Sequence, residues 1–350
     1  MSRPVSLLSL ATASPAHRLS QADAERIARE LFSPRFPHFE RMAPVFASAG
    51  IDERQFVRPI EWYMTPRGWP ERAEVFRDAA LDLFVDAATK ALDEAGLNGA
   101  DVDAVVTISS TGIATPSLEA RAMGRMGFRP DATRTPVFGL GCGGGVAGVA
   151  LAAKIAKATP GAVVLCVVVE LCSLAVRLDD LGKADIVAAA LFGDGAAACV
   201  LRAGEGGFAH VTGSAERTWP DTLDIMGWRI EDKGFGVIFD RAIPPFVRER
   251  IWPAMESMLA GQGLALDNID RFICHPGGAK VLEALEQALS IGQGRLDHER
   301  EVLRGHGNMS APTVLFVLDR ARRVGLPKTS VLTALGPGFT ASTVTLKLAA

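Results

Sequence analysis

Ala162 to Val169 is an uninterrupted apolar run that stops at Glu170, and it constrains the fold more than any other feature of the chain. A run of this length without polar alternation reads as a β-strand covered on both faces, so helices must lie above and below its sheet. It is far short of the roughly 20 residues a membrane-crossing helix requires. Neighbouring segments supply the cover. From about Arg72 to Ala95, apolar residues at Leu81, Phe84, Val85, Ala88 and Leu92 keep helical spacing, and Gly96 provides a C-terminal stop. Asp103 to Ser109 reads as a second buried strand, Ser117 to Met126 as a helix and Thr135 to Leu140 as a strand. The small-residue run Gly143 to Lys157 has helical character, and Ala196 to Leu201 is a further strand.

The second part of the chain repeats this order. A helix is expected over about Pro245 to Gly261, a strand at Arg271 to Cys274, helices after Gly277 and after Asn308, and strands near Ser330 to Ala334 and Thr340 to Leu348. Gly204, Gly206 and Gly207 mark the boundary between residues 1–203 and 204–350. The expectation is a layered, mostly parallel α/β fold. Ser20 with Asp23 resembles a capping box that opens a helix to about Phe32, placed to serve as an entrance segment.

Composition removes several classes of function. With 40 acidic and 37 basic residues spread along the chain and a formal charge of -3, there is no basic face for a nucleic acid. The segment Met1 to Leu10 lacks the pattern of a secretory leader, so a cytoplasmic location is expected. Five cysteines form an odd number without CxxC spacing, which argues against a disulfide framework and a zinc site and leaves a free thiol to explain.

Cys142 is the thiol with a distinctive setting. It follows a strand and precedes a glycine-rich helix start, where backbone N–H groups and the positive end of a helix dipole favour thiolate. Gly141, Gly143, Gly144 and Gly145 are expected to leave room above the sulfur for a thioester. His275, in Cys-His-Pro-Gly-Gly just past a buried strand, and Asn308, in Gly-His-Gly-Asn-Met-Ser, complete a Cys-His-Asn set. Taken singly, His275 is as well explained as structural and Asn308 as a helix N-cap. The chain has only three asparagines and six histidines, yet one of each falls at a glycine-flanked strand-to-helix junction. A rival reading takes Gly139-Leu-Gly-Cys-Gly-Gly144 as a formal GxGxxG with Glu170 as a ribose-binding acid, which would make the chain a nucleotide-dependent oxidoreductase. That reading leaves His275 and Asn308 without a role.

Five ordered motifs carry a family resemblance: Val-Phe-Gly-Leu-Gly-Cys142, Ala-Leu-Phe192-Gly-Asp-Gly-Ala, Cys-His275-Pro-Gly-Gly, Gly-Asn308-Met-Ser310 and Gly336-Pro337-Gly338-Phe-Thr. In order and spacing they resemble the chalcone synthase-like enzymes, the type III polyketide synthases. The resemblance implies a thiolase fold, layered αβαβα with an internally duplicated core, and a homodimer acting on CoA thioesters with no cofactor and no metal. It implies Cys142 as nucleophile with His275 and Asn308 as partners, Phe192 as gate to the cavity, and Arg41 as a receiver of CoA phosphates. Residues Thr115, Cys172, Ala175 and Val237, together with Ser310 and the Gly336-Pro337-Gly338 turn, are implied to bind substrate. Ketoacyl synthases that perform a single condensation share Cys, His and Asn, but their His motif reads His-Gln-Ala-Asn, whereas this chain has His-Pro-Gly-Gly.

Pro59-Ile-Glu-Trp-Tyr, Pro66-Arg-Gly-Trp-Pro-Glu-Arg, Val169-Glu-Leu-Cys-Ser-Leu and Asp224-Ile-Met-Gly-Trp resemble bacterial members that make alkylpyrones and alkylresorcinols from long acyl chains. Trp228 stands where plant enzymes carry glycine, and a ring there would narrow the cavity. The expected chemistry is transfer of a starter acyl group to the Cys142 thiolate, supported by imidazolium His275. Malonyl-CoA then decarboxylates to an enolate held by His275 and Asn308.

Overall fold

The computed structural model describes residues 4–177 and 182–349. In the first half the strands are β1 (Val5–Ala13), β2 (His17–Ser20), β3 (Glu53–Phe56), β4 (Ala104–Ile108), β5 (Thr133–Val137), β6 (Val164–Leu171) and β7 (Asp194–Ala203). In the second half they are β8 (Ala209–Thr218), β9 (Met226–Glu231), β10 (Gly234–Phe239), β11 (Arg271–Cys274), β12 (Thr329–Gly336) and β13 (Thr340–Leu348). Nine of them form one sheet in the order β11-β12-β13-β8-β1-β7-β6-β4-β5.

Strand β6 shows how the apolar run is used. Its alternate residues Val164, Cys166 and Val168 pack with Val146, Val149 and Ala153 of the helix Gly144–Ala158 and with Val314 and Leu318 of the helix Thr313–Gly325. Leu165, Val167 and Val169 point the other way, into a core with Phe84, Ala87 and Ala91 of the helix Trp69–Glu94. In the second half Ile273, Leu332 and Ala334 face the same two central helices. Phe272, Val331 and Leu335 join an outer core with Val247, Met255 and Leu259 of the helix Ile243–Ala260. Helix, sheet, helix, sheet, helix is the resulting stack, the layered thiolase-like arrangement, with two central helices wrapped by one continuous sheet.

In this sheet four strands of each half match in order and direction, and only β5, at the edge, has no counterpart. β4–β6 is parallel, β6–β7 antiparallel and β7–β1 antiparallel. β11–β12, β12–β13 and β13–β8 repeat that sequence of directions. The halves meet where Val5–Leu7 of β1 pairs with Ala209–Val211 of β8. Cys142 precedes the first central helix and Asn308 precedes the second, so the duplication itself brings them to one end of the stack.

The expectation of a mostly parallel sheet is corrected: only β4–β5, β4–β6 and β11–β12 are parallel. Short connections decide this, because a turn such as Pro337–Phe339 between β12 and β13 has no length for a crossover helix. Ser20 does cap the helix Gln21–Phe32, its side chain accepting from the Asp23 N–H. The hairpin β9–β10, which proves central to the site, has no counterpart among the expected strands.

Candidate active site

Cys142 lies in a single 3-10 turn, Gly141–Gly143, that runs directly into the helix Gly144–Ala158. Ser310 and Asn308 lie near enough to influence its thiol. Burial is the main influence and pushes the thiol up to about 11; Glu170 adds to the rise, while Ser310 and Asn308 oppose it. The helix N-terminus, worth about 0.3–1 kcal/mol in such settings, does not offset that burial.

The glycines around Cys142 do a different job from the one expected of them. A Cβ on Gly145 would lie 2.2 Å from the Ala311 carbonyl oxygen, one on Gly141 2.6 Å from the Pro337 ring, and one on Gly144 2.6 Å from Ile108. One on Gly143 would lie 3.4 Å from Gly336 Cα. They allow the second half of the molecule to press against the nucleophile turn, rather than holding space open for a thioester. The same contact removes the dinucleotide reading, since the backbone a pyrophosphate would need is covered by Gly336 and Pro337.

His275 continues the line of β11, its N–H donating to the Thr333 carbonyl at 2.9 Å. The residue is 6% exposed, burial lowers the imidazole to about 3, and neither ring nitrogen has a hydrogen-bond partner among the described residues. Burial thus opposes both the thiolate and the imidazolium, and no hydrogen bond joins Cys142 to His275 in this structure. Asn308 is held on all sides. Its N–H donates to Leu191 at 2.8 Å, its Oδ1 accepts from the Ser310 N–H at 2.8 Å, and its Nδ2 donates to the Gly277 carbonyl at 3.2 Å. The helix after it begins only at Thr313, so Asn308 is not an N-cap.

The cavity beside the sulfur is about 30 Å³ and is lined by Cys142, Cys172, Phe192, Val237, Ser310 and Pro337 together with Gly141 and the hairpin residues Met226, Gly227, Trp228, Ile238 and Phe239. The Trp228 ring stands 6.1 Å from both Phe192 and Phe235. Several expected substrate residues lie elsewhere. Ala175 is buried but does not line this cavity, because the short turn Cys172–Ala175 presents Cys172 to it instead. Gly336 is spent on the contact with Gly143, and Gly338 takes a left-handed φ of 70° at the strand turn with its carbonyl accepting from Thr222. Thr115 sits on an exposed loop, outside the cavity of its own chain. Arg41 is exposed on the short helix Phe39–Met42.

The sequence reading did not place a further buried group in the site. Glu170 closes β6 and accepts from the N–H groups of Ser110 and Thr111 and from the Thr111 hydroxyl at 2.7 Å. Ser110 in turn accepts from the N–H groups of Gly139 at 3.2 Å and Gly141 at 3.1 Å, so this network fixes the nucleophile turn. Burial raises the Glu170 carboxyl to about 7. The available signal was a lone acid at the end of a wholly apolar strand.

A cysteine, an imidazole and an amide, each at a strand or helix end of two duplicated halves, fit a thiolase-fold acyltransferase. Comparison with known proteins narrows the class. The profiles of the N- and C-terminal domains of chalcone and stilbene synthases match residues 59–205 and 210–349. The chain belongs to that family, and its activity is that of a type III polyketide synthase. It is 39% identical to 1,3,6,8-tetrahydroxynaphthalene synthase of Streptomyces peucetius subsp. caesius, over 99% of this chain and 93% of the relative. To the α-pyrone synthesis polyketide synthase-like Pks18 of Mycobacterium tuberculosis it is 29% identical, over 95% and 88%. The crystal structure of 1,3,6,8-tetrahydroxynaphthalene synthase from Streptomyces coelicolor A3(2) superposes with a TM-score of 0.93 at 27% identity, covering 99% of each chain.

Proposed function

We propose that this type III polyketide synthase loads a medium- or long-chain fatty acyl group onto Cys142, extends it with malonyl-CoA, and closes it to an alkylpyrone or alkylresorcinol. The carrying observation is the cavity lining: no charged side chain faces the sulfur among the described residues, and apart from thiols only Ser310 and the Trp228 indole bring polar atoms. An apolar acyl chain is the substrate such walls favour.

Each step uses residues in place. As CoA thioester enters, His275 takes the Cys142 proton, by closing on the sulfur or through a water. The S–C bond to the enzyme forms, and the proton passes to the departing CoA thiolate. Malonyl-CoA then loses carbon dioxide, and the bonding pair becomes an enolate whose oxygen accepts from His275 and from the Asn308 amide. Enolate carbon attacks the acyl carbonyl and expels Cys142 as thiolate, ready for the next transfer. Asn308 suits the role because it donates without titrating. No cofactor beyond the CoA substrates enters this scheme, and Arg41 is assigned to their phosphates.

The working unit proposed is a cytoplasmic homodimer. Ile113 and Phe138, each about half exposed, flank a 370 Å³ hollow beside edge strand β5, an apolar face suited to a second copy. Thr115, on the same face, then serves a cavity across the interface.

A second reading has one observation behind it. A cavity of about 30 Å³ is too small for a long chain, so one enters only if the Trp228 hairpin yields. Malonyl-only synthesis of a short aromatic polyketide needs less movement. Measuring kcat/KM with acetyl-, hexanoyl-, lauroyl- and palmitoyl-CoA, with product masses, separates the two. Rising preference with chain length supports the alkyl starter, whereas efficient condensation of malonyl-CoA alone overturns it.

A further inference from the structure

Strand β3 buries an arginine completely. Arg54 is 0% exposed, and the only hydrogen bond its guanidinium makes among the described residues runs from Nη1 to the Phe192 carbonyl at 3.2 Å. Its Nε and Nη2 find no acceptor among the described residues. Asp194 lies near enough to exert an electrostatic pull, but its carboxylate accepts from the Val57 N–H at 2.9 Å and from Ser173. Burying an arginine with donors unmatched is costly, so a merely space-filling role is a poor account of it.

What Arg54 touches suggests its use. Phe192 and Asn308 form an isolated parallel bridge: the Asn308 N–H donates to Leu191 at 2.8 Å, and the Gly193 N–H donates to the Asn308 carbonyl at 3.0 Å. The Phe192 carbonyl, in the middle of that bridge, is the one held by Arg54. The arginine stem lies against the two glycines on either side of the bridge. A Cβ on Gly193 would be 3.2 Å from Arg54 Cβ, and one on Gly307 3.1 Å from Arg54 Cδ. The neighbouring Gln55 secures the same loop, donating to the Gly305 carbonyl at 3.0 Å and pairing with His306 at 2.8 Å.

We infer that Arg54 is a positioning residue for Asn308: by fixing the Phe192–Asn308 bridge from behind, it sets the aim of the Asn308 amide at the malonyl thioester and couples that amide to the Phe192 gate. The inference rests on the reading of Asn308 as an enolate-oxygen donor. Cys142 is carried by a different turn, held by Ser110, so loading of the nucleophile should depend on Arg54 much less than decarboxylation does.

The test splits the two half-reactions in the full-length enzyme. Acylation of Cys142 by hexanoyl-CoA is followed by intact-protein mass spectrometry, and decarboxylation by release of labelled carbon dioxide from malonyl-CoA. In Arg54→Met, acylation is expected to stay within about twofold while decarboxylation falls at least about tenfold, as a small misplacement of a catalytic group commonly produces. Arg54→Lys, which keeps one donor without the planar fork, should recover part of the loss and remain down about threefold. If Arg54→Met does not fold, Arg54→Lys decides: a decarboxylation-to-acylation ratio reduced about threefold supports the inference, and an unchanged ratio overturns it. Equal losses in both half-reactions would reduce Arg54 to a structural residue and also overturn it. Asn308→Ala is the reference. If that variant loses decarboxylation while the ratio in Arg54→Met is normal, only the Arg54 inference fails; if it keeps decarboxylation, the reading of Asn308 fails as well.

Discussion

Cys142 and His275 show how burial can reverse an argument made from local sequence. A cysteine at a helix start next to a histidine suggests an ion pair, yet burial raises the thiol to about 11 and lowers the imidazole to about 3. Alkylation of Cys142 by iodoacetamide in the resting enzyme should therefore keep climbing as pH rises past 9. A plateau already reached by pH 7 would show that the ion pair exists. Cys142→Ala should abolish acyl-enzyme formation, seen as loss of the mass adduct, while Cys166, Cys172, Cys199 and Cys274 are dispensable because all four are buried away from substrate or serve only as wall. Glu170 gives a stability prediction with a definite sign. Its folded carboxyl, raised to about 7 from an ordinary value near 4.5, binds a proton that the unfolded chain has already released. Its contribution is thus fully present below about pH 4.5 and is lost as pH rises to about 7. Comparing urea midpoints at pH 5 and pH 8, Glu170→Gln should lose less stability than the parent over that interval, by about 2–3 kcal/mol; an equal loss in both proteins would refute it.

Among the elements, the hairpin β9–β10 sets the shape of the cavity. Val237 pairs with Trp228 across it, and both reach the cavity next to Cys142. Trp228→Ala should shift preference toward longer starters, each newly accommodated methylene contributing up to about 0.8 kcal/mol, or about fourfold in kcat/KM. Val237→Phe should shift it the other way, whereas Ala175→Phe, which is outside this cavity, should not act through it. The ratio of lauroyl- to hexanoyl-CoA turnover reads all three, and a constant ratio in Trp228→Ala would remove the hairpin from control of chain length. Sequence inspection missed both strands because β9 is half-buried or exposed along its length and shows no apolar run, while the apolar run of β10, Gly-Phe-Gly-Val-Ile-Phe, is broken by glycines that read as turn signals.

On the scale of the whole molecule, the glycine turn makes the two halves one cooperative unit. Gly141, Gly143 and Gly145 contact Pro337, Gly336 and Ala311, and both central helices share one core. Far-UV circular dichroism and tryptophan fluorescence should consequently follow a single coincident unfolding transition. Gly145→Ala, which drives a methyl group toward the Ala311 carbonyl, should destabilise that transition by about 1–3 kcal/mol and lower activity with it. Separate transitions for the halves would mean that the shared core does not couple them.

Most strands and helices of the layered core were legible because β6 and its neighbours are buried on both faces, and continuous apolar runs or helical spacing record burial directly, whereas the central strands β1 and β8, which join the halves, were not among the expected strands. Motif order carried the Cys142, His275 and Asn308 set, since each lies at a strand or helix end where local sequence marks the junction. Antiparallel pairing, the wall formed by Trp228, the absence of Ala175 and Thr115 from the cavity, and the burial of Arg54 and Glu170 were decided only in three dimensions. The reason is physical: these depend on which distant segments come within a few ångströms, and desolvation by those segments sets charge, free volume and hydrogen bonding that no residue's sequence neighbours determine.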